Sequence, residues 1–144
     1  MKALVDYCVE FASLMLQKKG AFLPFGAELR SDGQQAAVAG MDGNEHPKPA
    51  EIYSIIENGF GAKARSGEII AGAIAVDVNV PPTFDSPFAD GIRVQLETPG
   101  NSRLIYFPYR LTHSGLILKK RALQVAEAFA VELEPKWFSP AAMH

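Results

Sequence analysis

Glu68-Ile-Ile-Ala-Gly-Ala-Ile-Ala-Val-Asp-Val-Asn-Val80 places Ile70, Ile74, Val76, Val78 and Val80 at even-numbered, alternating positions. Gly91-Ile-Arg-Val-Gln-Leu-Glu-Thr98 alternates in the same way, with Ile92, Val94 and Leu96 against Arg93, Gln95 and Glu97. Arg103-Leu-Ile-Tyr-Phe-Pro-Tyr-Arg110 repeats the pattern with aromatics. Residues two apart share one face of a strand, so three such runs in succession predict a half-buried antiparallel sheet.

Upstream, residues 2–19 carry Leu4, Cys8, Phe11 and Met15 at helical spacing, with Val5, Ala12 and Leu16 widening the stripe. Lys18 and Lys19 suit the negative end of a helix dipole, and Gly20 suits the residue after it. Ser31-Asp32-Gly33 lies between two short runs and predicts a hairpin, with Pro24 confined to the start or edge of its strand. After a polar loop over 41–49, a second helix is predicted from Pro49 to about Lys63, with Ile52, Ile55, Ile56 and Phe60 as its apolar face.

Downstream, 116–120 fits a further strand, and 121–133 satisfies helical spacing through Leu123, Ala126, Ala130 and Leu133. Leu116-Ile-Leu118 fits the start of either. The reading is therefore α+β: a central antiparallel sheet of about five to six strands with an N-terminal, a middle and a C-terminal helix on one face. It takes 1–133 as one domain and 134–144 as an irregular tail. Trp137 stands in that tail, where aromatics dock on the parent domain or on a partner.

Composition narrows the classes. A chain of 144 residues buries roughly 70% of its unfolded surface, enough for a core without disulfides. The net charge of −2 gives no electrostatic footprint for nucleic acid. The single cysteine, Cys8, excludes an intramolecular disulfide and a cysteine-rich metal site, and its place in the apolar stripe of the first helix predicts a small buried hydrophobe. No apolar stretch is long enough to span a bilayer, and Asp6 and Glu10 interrupt the first apolar run, so a cytoplasmic protein is expected.

Catalytic motifs are missing. There is no Gly-x-Ser-x-Gly elbow, phosphate-cradling loop or His-Glu-x-x-His pair, and His46, His113 and His144 lack the spacing of a helical metal site. No metal or cofactor is expected. The strongest constellation is the polar side of the sheet, where antiparallel pairing would set Asp77 beside Arg93 and Glu97, with Arg110 joining from the third run. Residues 81–90 form a long insert for a hairpin and carry Phe84 and Phe88, which makes them the most loop-like candidate for recognition.

Phe22-Leu-Pro-Phe-Gly-Ala27, the Asp32-Gly33 turn and Phe107-Pro-Tyr-Arg110 together resemble a set of small bacterial proteins with no assigned function. The order of elements is similar to profilin-like domains of the roadblock and sensor types, which implies a partner-binding scaffold or a sensor with a pocket against its sheet. The leading expectation is a non-enzymatic interaction domain, binding itself or another protein through the sheet face, the 81–90 loop or the aromatic tail. A small-molecule sensor with an apolar pocket is the alternative. A hydrolase using His113 with Asp77 or Glu97 stands third.

Overall fold

Leu4, Cys8, Ala12 and Leu16 form an unbroken row at intervals of four, and this row is the buried stripe of α1 (Lys2–Lys19). Gly20 ends the helix at φ 82°, a left-handed conformation open to glycine, with its N–H donated to the Leu16 carbonyl. The computed structural model describes residues 1–40, 46–115 and 120–138. After α1 come β1 (Phe25–Arg30), β2 (Gln35–Val38), α2 (Pro49–Ser66), β3 (Ile69–Asn79), β4 (Asp90–Thr98), β5 (Asn101–Ser114), β6 (Lys120–Val125) and β7 (Phe129–Leu133). The strands form one antiparallel sheet in the order β2-β1-β3-β4-β5-β6, with β7 also on β5. The α+β class and the first two helices are as the sequence predicts.

The Asp32-Gly33 turn forms as expected. Gly33 sits at φ 91°, and the Asp32 carboxylate accepts the Gln34 N–H at 2.9 Å.

The helices pack on opposite faces of the sheet, not on one. Ala71, Ala73 and Ala75 of β3 point to α1 together with Ile92, Val94 and Leu96 of β4. Ile69 and Ile74 join Ile52, Ile56, Phe60 and Ala64 of α2 in a second cluster. Small side chains allow both approaches: three alanines lie under α1, and a Cβ built on Gly72 would stand only 3.1 Å from the Phe60 ring. The sheet is thus covered on both sides rather than half-solvated. One of its buried carboxylates is ion-paired: Glu28 of β1, 2% exposed, takes the Lys63 ammonium of α2 at 2.6 Å.

The region 121–133 is not a helix. Val125 pairs with Tyr109 and Phe129 with Tyr106, so three residues of the outer strand face two of β5. That extra residue is a β-bulge, placed where Pro108 has no N–H to give the ladder, while the Pro108 carbonyl accepts the Ala126 N–H at 2.8 Å. The bulge inverts the alternation. Leu123 packs with the α1 cluster, whereas Phe129 stacks on Tyr106 at 5.1 Å on the α2 side. A period of two that changes phase midway imitates a helical period. Residues 116–119, where the start of strand or helix was open, lie outside the described residues, as do 41–45 of the polar loop and 139–144 of the tail.

Candidate functional site

β4 presents Arg93, Gln95 and Glu97 to the α2 side, opposite Val76, Ile74 and Gly72 of β3. From α2, Tyr53 and Glu57 lie one turn apart on the flank beside the buried Ile52–Ile56–Phe60 row. The third wall is the segment that leaves β7. Glu97 is fully buried and fastens it, accepting the backbone N–H of Lys136 at 2.6 Å and of Phe138 at 2.9 Å, while the Ser102 hydroxyl donates to its other oxygen at 3.2 Å. Trp137 packs on Phe60 at 5.0 Å and donates its indole N–H to Glu57 at 3.2 Å. Residues 134–138 are irregular in backbone, with Glu134 and Lys136 at the surface and Trp137 and Phe138 seated in the interior at 2% and 5% exposed.

Between these walls opens a cleft of about 480 Å³. Arg93 and Gln95 lie in it from β4, Leu104 from β5, and Leu133, Pro135 and Lys136 from the C-terminal side. The Arg93 guanidinium carbon stands 5.7 Å from the centre of the Tyr53 ring, a cation–π geometry. Its Nε is buried with no hydrogen-bond partner, and the side chain makes no ion pair among the described residues. Lys136, in contrast, is tied to Glu57 at 3.4 Å. Burial, reinforced by the Glu57 charge, pushes the Tyr53 phenol up to about 12, against the opposing pull of Arg93.

The seven residues singled out in the sequence part company. Arg93, Glu97 and Trp137 meet around the cleft, Glu97 as an anchor beneath its wall and Trp137 as core. Asp77 is a correction: it pairs with Ile92 and faces α1, on the opposite side of the sheet from Arg93. Alternation fixed which residues share a strand face but not which faces of neighbouring strands coincide, because β3 turns its alanines to α1 where β4 turns its large aliphatics. Asp77 instead takes the Tyr109 hydroxyl at 2.6 Å, and burial raises its carboxyl above the ordinary range.

Arg110 binds Gln124 and lies 5.1 Å from the Phe88 ring. Phe84, in a 3-10 turn at Pro82–Phe84, packs on Tyr106 and Phe129 at 5.4 and 5.2 Å, so the long insert is folded back on its own sheet. His113 sits opposite Arg121 on β5, eleven residues beyond Ser102, the partner of Glu97. At about 3.3 Å per residue that is some 36 Å along the strand, and His113 is also six residues, roughly 20 Å, beyond Phe107, which stands level with Asp77 through Ile92, so neither hydrolase pairing is assembled. Tyr53, Glu57 and Lys136 were not anticipated; no spacing links a helix flank, a strand and a tail.

This chain matches no protein-family model, no curated protein and no solved structure. Among the described residues no three His, Cys, Asp or Glu side chains converge as a metal site, and no helix is long and apolar enough to cross a membrane. One other concavity is prominent. A groove of about 370 Å³ runs between α1 and the segment entering β1, lined by Phe11, Met15, Phe22, Leu23 and Phe25 with Lys19 at its edge. Phe11 and Leu23 there are 38% and 49% exposed, and Leu14 beside them 46%.

Proposed function

We propose that this chain is a non-enzymatic recognition domain that takes a small molecule into the cleft beside Arg93. The observation that carries the reading is the cleft itself: about 480 Å³, bounded by α2, the sheet and the C-terminal segment, with apolar walls and a few convergent polar groups. Small-molecule sites have this size and this mixture. Of the carboxylates around it, Glu97 is held by backbone amides and Glu57 by Lys136 and Trp137, and the exposed Glu134 makes no hydrogen bond to a nucleophile among the described residues, an arrangement that favours binding over catalysis. The test is a fragment mixture titrated into ¹⁵N-labelled protein. Shifts grouped on Tyr53, Gln95, Leu104 and Lys136 are the expected result; hits grouped elsewhere, or none, would remove the reading.

A second reading, docking of a protein partner, is favoured by the apolar surface of Phe11, Leu14 and Leu23. It expects native mass spectrometry of protein taken from its own cells to show a complex that Leu14→Ser disrupts. A monomer in both forms would dismiss it.

A further inference from the structure

We infer that the ligand of this cleft carries a single carboxylate, gripped by Arg93, on an apolar body that lies against Tyr53, Leu104 and Leu133. The inference rests on the cleft reading above and adds the chemistry of the ligand. It begins with the charges around the site. Lys136 is committed to Glu57, and Glu97 to three donors of the protein. Of the two cations that line the cleft, Arg93 is the one without an ion pair among the described residues, and its buried Nε–H has no acceptor there. A buried donor with nothing to bond is a penalty that folded proteins seldom retain, and at a binding site the missing acceptor is commonly the ligand's.

The shape of the guanidinium states what that acceptor is. Nε–H and a neighbouring Nη–H point the same way, spaced to meet the two oxygens of one carboxylate. The Tyr53 ring beneath gives the planar group a surface across which to slide and turn that edge outward. The charge of the ligand is limited by the surroundings. Glu57 and Glu134 line the cleft and Glu97 lies under its wall, so one uncommitted cation faces three carboxylates. A monoanion fits that balance, whereas a phosphate dianion would meet more repulsion than Arg93 can offset. Leu104, Leu133 and Pro135 provide the apolar wall for the rest of the molecule.

The experiment uses the full chain, ¹⁵N-labelled, and three probes: 3-phenylpropionate, its neutral amide 3-phenylpropanamide, and inorganic phosphate. The acid is expected to shift the Arg93 Nε–H resonance and the Lys136 amide, and to bind at least about tenfold more tightly than the amide, with phosphate weaker than the acid. Arg93→Gln should abolish the preference for acid over amide, and Arg93→Lys should keep only part of it, with the Trp137 emission spectrum unchanged as the check on folding. Equal binding of acid and amide in the cleft would overturn the inference and leave the cleft reading intact. Phosphate binding as tight as the acid would do the same. An acid preference that survives in Arg93→Gln would assign the charge recognition to another residue and overturn it too. If neither organic probe moves a cleft resonance, the inference and the cleft reading fall together.

Discussion

Asp77 accepts the Tyr109 hydroxyl hydrogen at 2.6 Å, joining β3 to β5 with β4 between them. Burial holds the Asp77 carboxyl above its ordinary 3.8, a rise that the Tyr109 hydrogen bond and the Phe22 backbone amide oppose without cancelling. A carboxyl that binds its proton more firmly in the folded chain contributes stability that is complete below 3.8 and is lost as pH rises through the elevated value. Asp77→Asn keeps an acceptor for Tyr109 and has no charge to desolvate. Urea unfolding across pH should therefore find it matching the wild type in acid and exceeding it at neutral pH. A neutral-pH stability below that of the wild type would show that the ionised bond to Tyr109 outweighs burial.

Glu97 is predicted to act through geometry more than charge. One oxygen receives both segment amides and the other the Ser102 hydroxyl; a glutamine keeps the first with its carbonyl oxygen and replaces the second by donating its NH2 to the Ser102 oxygen. Glu97→Gln should cost no more than about 1 kcal/mol, whereas Glu97→Ala leaves two amide donors without an acceptor at about 1–3 kcal/mol each. Chemical denaturation measures both. A red shift of Trp137 fluorescence in Glu97→Ala would report release of 134–138; the same loss in both variants would assign the role to charge.

Gly26 and Gly59 should respond to alanine with opposite signs. A Cβ on Gly26 would stand 2.9 Å from the Ala73 carbonyl oxygen, which is backbone and cannot yield, so Gly26→Ala should cost about 1–3 kcal/mol. Nothing lies within 4 Å of a Cβ on Gly59, inside α2, and Gly59→Ala should stabilise by up to about 1 kcal/mol. Thermal melts of the two single variants settle this, and a stabilised Gly26→Ala would contradict the close approach of β1 to β3.

Cys8 is fully buried in the α1 row, and burial pushes its thiol up to about 12. The thiolate is the reactive form, so iodoacetamide at pH 8 should label the native protein only through unfolding, far more slowly than in urea. Native labelling at the rate of a free cysteine would mean that α1 lifts from the sheet on its own.

The sequence made much of this fold legible where one signal governed one element. The helical spacing of residues 2–19, Gly20, Asp32-Gly33 and the alternation in β3, β4 and β5 each predicted the element that is found, although the buried row of α1 is Leu4–Cys8–Ala12–Leu16 with Phe11 exposed, and the sheet is covered on both faces rather than half-buried. It misled where two periods met. Leu123 to Leu133 read as a helix because the bulge opposite Pro108 shifts the phase of a strand, and Asp77 was placed beside Arg93 because alternation is blind to which face a neighbour turns. Of the candidate site, Arg93 and Glu97 were legible as polar strand positions. Tyr53 and Lys136 were not, since their nearness to Arg93 depends on how a helix and an irregular segment are seated, and Glu97's bonds to the backbone of 136 and 138 leave no mark in composition.

β3 sends Ala71, Ala73 and Ala75 into one layer of the interior and Ile74 into the other. On either side of the bulge, β6 and β7 do likewise with the half-buried Leu123 and Phe129. The sheet is thus a party wall whose bricks belong to two rooms. Neither room can be emptied while the other stands, so heating should give a single transition whose calorimetric and van't Hoff enthalpies agree, and a shortened chain retaining one helix should inherit neither half of the core.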